Sequence, residues 1–246
     1  MLRPRELLRT AVSGSAAVGI TGFMSPVVAG LSLVNTDAAD LALWTWAETV
    51  LRSAGVKTVC LGLENLPKGN FVLVANHQSH FDALVLFRHI RRHMRFVAKQ
   101  QLRGIPVFGW ALEKAGNIFV DRSGGDGDKA TLHEAARAVR ERVSVVFFAE
   151  GTRSEDGVLR PFKKGAAVMA LEARVPMVPV AVAGTWRILE KGGRAIHPRP
   201  SALVIGEPIS TAGLPSSARD ALTLQAHDRV EALLAEGNRL VDALER

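Results

Sequence analysis

The stretch Phe71-Val-Leu-Val-Ala-Asn-His77-Gln-Ser-His-Phe-Asp82 passes from an apolar run into polar residues. The run predicts a buried strand, and the apolar residues 83–87 that follow predict a helix, so His77 is expected in the turn between them. Five residues correspond to a rotation of about 140° on a helix, so His77 and Asp82 cannot share a helical face. We expect Asp82, in the first helical turn, to reach back to the imidazole and fix its tautomer. The other ring nitrogen is then left to accept a proton.

The same residues allow other interpretations. Ser79 is suited to cap the helix with Asp82 as the acidic member of a capping box, which would make His77 a polar loop residue. His77, His80 and Asp82 are also residue types that bind divalent metal ions, as in a metal-dependent hydrolase, although no fourth ligand group lies nearby in the sequence. The spacing alone does not choose between these interpretations and a catalytic pair.

Three further blocks repeat the pattern of an apolar strand that ends in polar groups. Residues 116–122 end in Asp121 and Arg122, and residues 145–154 end in an acid, a glycine, a hydroxyl and a guanidinium group. Residues 175–182 form a β-branched run with two prolines, which predicts an edge strand or an irregular strand. Polar groups gathered where strands end are expected of an α/β active site.

The order and spacing of the four blocks closely resemble the glycerolipid acyltransferase family, in particular its 1-acylglycerol-3-phosphate acyltransferases. Residues 77–82 match the motif His-x-x-x-x-Asp, residues 116–122 match Gly-x-x-Phe-[Ile/Val]-Asp-Arg, and residues 175–180 match the proline-containing fourth block. Residues 148–154 match Phe-Pro-Glu-Gly-Thr-Arg-Ser, except that Ala149 replaces the proline. That change affects loop rigidity and no group that does chemistry. The resemblance covers roughly residues 60–210.

The resemblance implies an α/β fold with a mixed sheet flanked by helices. It implies an enzyme that moves a fatty acyl group from acyl-CoA or acyl carrier protein to 1-acylglycerol 3-phosphate, forming phosphatidate, with the catalytic residues His77 and Asp82. The acceptor hydroxyl would attack the thioester directly, with no acyl-enzyme, no metal and no resident cofactor. Cys60 lies outside every block and is expected to be a small buried hydrophobe. Acylation of a lyso-aminolipid or of glycerol 3-phosphate stays an alternative, as does non-catalytic binding of a phospholipid, although a binding protein needs no base.

Two arginines are the candidate phosphate ligands. A guanidinium group matches two phosphate oxygens and stays charged at every relevant pH, which suits Arg122 and Arg153 to this role. Each arginine has an acid nearby in the sequence, Asp121 or Glu150, and the alternative is that each only forms an ion pair there.

Other residues of the blocks are expected to contact the substrate. Gly151 lets the backbone approach the ligand, and Thr152 offers a hydroxyl. Glu150 is expected to hydrogen-bond glycerol hydroxyls or an arginine, because a carboxylate does not easily touch phosphate. By the resemblance, Lys99 ends a strand near the thioester. The loop at residues 123–128 either closes over the substrate or only links two elements.

Composition limits the class of protein. With 246 residues, of which 48% are apolar, the chain can bury one α/β core and carry an N-terminal attachment. A single cysteine excludes a disulfide framework and fits a reducing, cytosol-facing environment. A net charge of +7 and a pI near 10.2 favour an anionic membrane surface as partner, and no nucleic-acid-binding motif accompanies the charge. Helical periodicity is clear at residues 128–142, 164–173 and 218–244.

Residues 1–55 are expected to form a membrane-associated helical segment, followed by the acyltransferase domain at residues 56–246. Trp44 and Trp46 are typical either of a membrane interface or of a packed core helix. Together these features predict a peripheral or monotopic protein on the cytoplasmic face of the cell membrane, with a lysophospholipid and the acyl donor as its other partners.

The basic leader raises a topological conflict. Arg3, Arg5 and Arg9 precede an uncharged stretch, residues 10–36, that is long enough to cross a bilayer but is interrupted by glycines and Pro26. A basic leader favours a cytoplasmic N-terminus, so a single span would put the catalytic domain on the far side. A hairpin bent near Pro26, or a helix lying in the interface, removes the conflict. A cleaved signal peptide is the alternative.

Overall fold

The computed structural model describes residues 4–120 and 126–246. Asp121, Arg122 and the start of the predicted loop at residues 123–128 lie outside these ranges. The strands are β1 Thr58–Leu61, β2 Val72–Ala75, β3 Met94–Lys99, β4 Ile118–Val120, β5 Ser144–Phe148, β6 Met177–Ala183 and β7 Ser201–Ile205. The helices are α1 Pro4–Ser32, α2 Thr36–Ser53, α3 Phe81–His89, α4 Phe108–Lys114, α5 Asp126–Glu141, α6 Gly165–Ala173 and α7 Arg219–Glu245, and four short 3₁₀ helices are Leu63–Asn65, Gln100–Gly104, Thr185–Arg187 and Ser216–Ala218.

The seven strands form one sheet in the order β1-β7-β6-β2-β5-β3-β4. All neighbouring pairs are parallel except β6 and β7, which are antiparallel. The predicted α/β fold with a mixed sheet flanked by helices is therefore confirmed. Because β2 to β6 run in the same direction, the chain leaves all five of these strands at one side of the sheet. We call this side the carboxyl edge.

Helices cover both faces of the sheet. Alternate residues of β2 enter different cores: Leu73 packs with α2 and α3 on one face, and Val72 and Val74 pack with α5 and α6 on the other. A parallel strand buried on both faces has no polar side, which explains the unbroken apolar run in the sequence. The predicted helices at residues 128–142, 164–173 and 218–244 correspond to α5, α6 and α7.

The strand with the prolines is central, so of the two predicted alternatives the edge strand was wrong and the irregular strand is correct. β6 lies between β2 and β7 and is buried along its whole length. The lost N–H of Pro179 is accommodated at a bulge: the pair Val180 and Ile205 would place Met177 opposite residue 208, yet Met177 pairs with Ile209. A one-residue bulge interrupts the ladder where the proline cannot donate, which makes a proline tolerable inside the sheet.

The N-terminal chain forms a helical hairpin, which was one of the two predicted alternatives, but the chain does not reverse near Pro26. Pro26 lies inside α1, which continues to Ser32. The chain reverses at residues 33–35, where Asn35 caps α2 by accepting the N–H of Ala38 at 3.0 Å. Asparagine is a favoured N-cap because its side-chain oxygen satisfies a free helical N–H group. The cap therefore sets the turn, and the proline does not.

Within α1, residues Val12–Ser32 are long and apolar enough to cross a membrane, with a mean hydropathy of 1.4, by length and composition alone. Only 22% of this window is buried. A signal sequence near the N-terminus has the same length and composition.

The second N-terminal helix is packed into the domain core. Val50 and Leu51 of α2 are buried in the same cluster as the strand residues. Trp46 is half-buried, donates its ring N–H to Thr21 Oγ1 at 3.0 Å and contacts Phe87 edge-on. The packing fits the core-helix alternative for this part of the chain, and a domain boundary near residue 55 stays a prediction.

Candidate active site

His77 and Asp82 meet at the carboxyl edge. His77 lies in the turn after β2, Asp82 is the second residue of α3, and His77 Nδ1 is 2.7 Å from Asp82 Oδ2. The Asp82 side chain is fully buried, while the His77 side chain is 20% exposed. Because the carboxylate accepts from Nδ1, it selects the tautomer whose Nε2 carries the free lone pair. The geometry matches the predicted base and its partner, and catalysis by the pair stays a prediction.

Part of the capping alternative is present in the same carboxylate. Asp82 Oδ2 also accepts the backbone N–H groups of Gln78 at 2.7 Å and Ser79 at 3.0 Å. The Ser79 hydroxyl, however, donates to the carbonyl of Leu189 at 2.9 Å and caps no helical N–H. Asp82 therefore fixes both the backbone of the turn and the histidine ring, so the two interpretations are not exclusive.

An aromatic row extends from His77 into the core. The imidazole stacks on Phe148 with ring centroids 4.0 Å apart and an interplanar angle of 13°. Phe148 stacks on Phe96, which contacts Phe87 edge-on, and Phe87 contacts Trp46 of α2. One face of the His77 ring is thus covered by an apolar surface, while the row joins the site to the N-terminal helices.

Glu150 is buried and its two oxygens have backbone partners. Oε1 accepts the N–H of His77 at 2.6 Å, and Oε2 accepts the N–H of Arg160 at 3.0 Å. Burial raises the pKa of Glu150 to about 7, against the two backbone hydrogen bonds, which lower it. The alternative ion pair between Glu150 and Arg153 is not present among the described residues. Glu150 holds the turn of His77, and its predicted contact with substrate stays a prediction.

The residues after Glu150 form a turn beside His77. Gly151 has a φ of +74°, a backbone conformation that favours glycine. It donates its N–H to the carbonyl of Phe148 at 3.0 Å. Thr152 and Arg153 are half-buried, and the next residue, Ser154, donates its N–H to the carbonyl of His77 at 2.8 Å. The structure therefore brings Gly151, Thr152 and Arg153 to the histidine.

Of the two other cationic residues that were predicted to bind substrate, the structure describes Lys99. Lys99 is the last residue of β3, is exposed, and lies opposite Val120, the last residue of β4. Arg122 follows β4 by two positions and lies outside the described residues. The carboxyl edge therefore carries Lys99, and the contact of either cation with substrate stays a prediction.

Three polar residues that the sequence analysis did not select support the turn. The Asn76 side chain donates to the carbonyl of Val182 at 2.9 Å and accepts its N–H at 2.8 Å, which continues the pairing of β2 and β6 beyond Ala75. Gln78 donates to the carbonyl of Gly157 at 3.1 Å. The hydroxyl of Thr185, just after β6, donates to Asp82 Oδ1. Asn76 and Gln78 flank His77, so adjacency was the available signal, whereas Thr185 is 103 residues from Asp82 and gave none.

A second histidine–aspartate pair has a different place in the fold. His93 Nδ1 is 2.6 Å from Asp40 Oδ2, but His93 precedes β3, at the opposite side of the sheet from the carboxyl edge. Arg95 also binds Asp40, at 2.9 Å, so this carboxylate is already paired with a full charge. The pair ties α2 to the sheet and is a natural control for His77 and Asp82.

Among the described residues, neither a metal cluster nor a reactive thiol accompanies the site. Within residues 4–120 and 126–246, no group of three or more His, Cys, Asp or Glu side chains is placed to hold a metal ion. Cys60 is half-buried in β1, at the far edge of the sheet, where burial raises the pKa of its thiol to about 11. A thiol with that pKa is protonated at neutral pH and is a poor nucleophile.

A histidine held by a buried carboxylate, at the carboxyl edge of a largely parallel sheet and beside a turn rich in polar groups, is the arrangement of an α/β enzyme site. The family model described as Acyltransferase matches residues 57–183, just over half of the chain. The chain therefore belongs to the Acyltransferase family, and the resemblance read from the four blocks is confirmed.

Named relatives and a solved structure extend this result. The chain is 39% identical over 142 residues to a chloroplastic 1-acyl-sn-glycerol-3-phosphate acyltransferase of Brassica napus, a match that covers 57% of this chain and 41% of the relative. It is 31% identical over 195 residues to the 1-acyl-sn-glycerol-3-phosphate acyltransferase of Saccharomyces cerevisiae, covering 76% of this chain and 64% of that protein. The matches thus span about half the length of these relatives.

The crystal structure of the 1-acyl-sn-glycerophosphate acyltransferase PlsC from Thermotoga maritima is similar with a TM-score of 0.81 and 27% identity, over 96% of this chain and 98% of that one.

Proposed function

We propose that this protein transfers a fatty acyl group from a thioester donor to the free hydroxyl of 1-acyl-sn-glycerol 3-phosphate and forms phosphatidate. The observation that carries the proposal is the pair of His77 and Asp82, joined at 2.7 Å and placed at the carboxyl edge. The names of the relatives from Brassica napus and Saccharomyces cerevisiae, and of the Thermotoga maritima structure, support the same substrate class.

The chemistry begins with proton transfer to His77. Nε2 accepts the proton of the acceptor hydroxyl while the hydroxyl oxygen forms a bond to the carbonyl carbon of the thioester. The C–S bond then breaks, the thiol leaves, and the proton on Nε2 can be returned to the sulfur. Asp82 stabilises the imidazolium that forms between these steps. No acyl-enzyme is required, and the protonated state of Cys60 agrees with direct attack.

The acceptor phosphate needs cationic ligands close to the base. Arg153 lies one residue before Ser154, which is bonded to the backbone of His77, so its guanidinium group is the best-supported ligand. Lys99 ends the adjacent strand at the same edge. Arg122 is included from the family motif. Thr152 and the backbone at Gly151 supply further polar contacts, and the donor is acyl-CoA or acyl carrier protein with no resident cofactor.

Membrane association would deliver the lysolipid. The α1 helix has the length and composition of a membrane segment, and the chain has a net charge of +7, which favours anionic lipid. Large apolar residues are exposed on and near the N-terminal hairpin and around α4: Val12, Val18, Phe23, Leu33, Val34, Leu41, Ile105, Val107 and Trp110. These features support membrane binding by α1 and the apolar residues around α4. The cytoplasmic face is part of the proposal because acyl-CoA and acyl carrier protein are cytosolic donors.

The test uses the purified full-length protein in detergent. It is incubated with 1-acylglycerol 3-phosphate, a lyso-aminolipid, glycerol 3-phosphate and a lysolipid without phosphate, each with acyl-CoA and with acyl carrier protein. Mass spectrometry identifies the products. Phosphatidate as the main product supports the proposal. A different main product reassigns the acceptor, and no product with any pair contradicts an acyltransferase activity.

A further inference from the structure

Asp82 is held through both of its carboxylate oxygens. Oδ2 accepts the His77 ring N–H and two backbone N–H groups. Oδ1 accepts the hydroxyl of Thr185, a residue that lies outside all four motif blocks. Both side chains are fully buried, so neither carboxylate oxygen can exchange its protein partner for bulk water.

The segment that carries Thr185 joins the His77 turn at two points. Gly184 has a φ of +83°, and a Cβ there would come within 2.8 Å of the carbonyl oxygen of Pro200, so the turn after β6 requires glycine. The carbonyl of Thr185 accepts the N–H groups of Ile188 and Leu189 at 3.0 and 3.2 Å. Leu189 in turn accepts the hydroxyl of Ser79. Thr185 and Leu189 thus hold the turn from both sides.

The contact of Thr185 with Asp82 Oδ1 sets the orientation of the carboxylate group. Three donors converge on Oδ2 from residues 77–79, which fixes the position of that oxygen but leaves rotation of the carboxylate plane to be set at Oδ1. A hydroxyl donor there fixes the plane and takes up part of the negative charge that His77 would otherwise feel. Groups of this kind, one contact removed from the reacting atoms, tune orientation and basicity.

We infer that Thr185 is a positioning residue for the acyl transfer: its hydroxyl fixes the Asp82 carboxylate and thereby the orientation of the His77 ring. The inference rests on the proposed function, because it assigns Thr185 a role in the same base. Thr185 touches no reacting atom and acts only through Asp82.

The decisive comparison is between Thr185→Ser and Thr185→Ala, which share the loss of the methyl group and differ only by the hydroxyl. Thr185→Val keeps the shape and removes the hydroxyl. Thr211 provides the matched control, since its buried hydroxyl donates to the carbonyl of Val175 at 2.9 Å, outside the site. Thr211→Val should report what the loss of a buried threonine hydroxyl does to folding alone.

Two readouts separate positioning from structure. The first is kcat and KM for both substrates. Thr185→Ala and Thr185→Val should lower kcat by about 10-fold to 100-fold with little change in KM, Thr185→Ser should restore most of it, and Thr211→Val should keep it. The second is the NMR signal of the His77 Nδ1 proton in the protein without substrate, which reports the hydrogen bond to Asp82. Because the carboxylate loses its contact at Oδ1, this signal should move in Thr185→Ala and stay in place in Thr185→Ser and Thr211→Val.

A folded Thr185→Ala protein with wild-type kcat and an unchanged signal of the His77 Nδ1 proton would overturn the inference. So would equal losses in Thr185→Ser and Thr185→Ala, because the hydroxyl would then not matter. These results are distinct from failure of the proposed function, which would appear as an inactive wild-type protein or an active His77→Ala protein. If Thr185→Val does not fold, the Ser and Ala pair still decides the question.

Discussion

Replacing Asp82 by asparagine removes the charge that faces His77 while keeping the shape of the side chain. In the wild-type protein, Asp82 Oδ2 accepts from three donors, at 2.7, 2.7 and 3.0 Å, and Oδ1 accepts from Thr185. The amide oxygen of asparagine can keep the first three donors. Its NH₂ group then faces Thr185, whose hydroxyl can accept from it and turn its own proton to Gln78 Oε1, 3.5 Å away. Asp82→Asn should therefore fold.

The magnitudes follow from the loss of charge. Each of the three retained bonds changes from charge-assisted to neutral, a loss of about 1 kcal/mol apiece. The lower cost of burying an amide instead of an ion offsets part of this loss. The free energy of unfolding of Asp82→Asn should therefore fall by about 2 kcal/mol or less. The imidazolium of His77, in contrast, loses its counter-charge. The transition state should thereby lose about 3–5 kcal/mol of stabilisation, which lowers kcat by about 10²-fold to 10⁴-fold.

The assay is thiol release from the acyl donor, run beside urea denaturation of the same preparations. Asp40→Asn is the matched control, because Asp40 binds His93 with similar geometry on the other side of the sheet. We expect Asp40→Asn to lose stability and keep its turnover per folded molecule. An Asp82→Asn protein that keeps more than about a tenth of the wild-type kcat would refute the role assigned to the carboxylate.

Three further predictions concern the phosphate, the buried acid and the membrane. Arg153→Ala should lower kcat/KM by about 10-fold to 150-fold for a phosphorylated acceptor, the effect of one charge-assisted contact, and much less for a lysolipid without phosphate; equal losses on both acceptors would make Arg153 structural. Because the pKa of Glu150 rises from 4.5 to about 7 on folding, the folded protein holds that proton more tightly, and its free energy of unfolding should fall by up to about 3 kcal/mol as pH rises through this window. The free energy of unfolding of Glu150→Gln, measured by urea denaturation, should lack this part of the pH dependence. Identical slopes of the unfolding free energy against pH in the wild-type protein and in Glu150→Gln would contradict the raised pKa. In a Cys60→Ser protein, the emission of a polarity-sensitive fluorophore attached at Val107→Cys should shift to the blue when anionic vesicles are added. The same label at Leu224→Cys on α7 should not shift, and it is a fair control because Val107 and Leu224 are similarly exposed, at 52% and 62%. Vesicle binding with no shift at either position would exclude the apolar residues around α4 from the membrane contact.

The sequence predicted those parts of the fold that local patterns determine. β2 is an unbroken apolar run because helices cover both of its faces, and α5 and α7 show helical periodicity because each has a polar side. α6 is almost entirely apolar. β1 and β7 were not predicted. They lie side by side at one end of the sheet, where the antiparallel pair of β6 and β7 joins them to the other strands. Pairing between residues far apart in the chain leaves no local pattern to read.

Prolines were the main source of error. The two prolines of β6 indicated an edge strand or an irregular strand, and only the second was correct. The bulge that tolerates Pro179 depends on the register of β7, which the local sequence does not show. Pro26 indicated a bend, yet the reversal comes at residues 33–35, where Asn35 caps α2. In both places a tertiary or capping interaction outweighed the intrinsic preference of the residue.

The site was predictable to the extent that its residues lie close together in the sequence. His77 and Asp82 are 5 residues apart, and the chain geometry was enough to place the first in a turn and the second in a helix. The contacts of Asp82 with Thr185 and of Glu150 with the backbone of His77 span 103 and 73 residues. The sequence showed Glu150 as a polar group at a strand end, whereas its burial and its two N–H partners emerge only from the folded arrangement.

Comparing His77→Ala with His93→Ala is the most direct measurement of whether the pair at the carboxyl edge performs the acyl transfer. Both histidines bind a buried aspartate through Nδ1, at 2.7 and 2.6 Å, so the two variants remove the same kind of contact. Phosphatidate formation per folded molecule, measured by mass spectrometry, should fall by about 10²-fold or more in His77→Ala and stay near the wild-type rate in His93→Ala. Near-normal turnover in a correctly folded His77→Ala protein would contradict the assignment of His77 as the base.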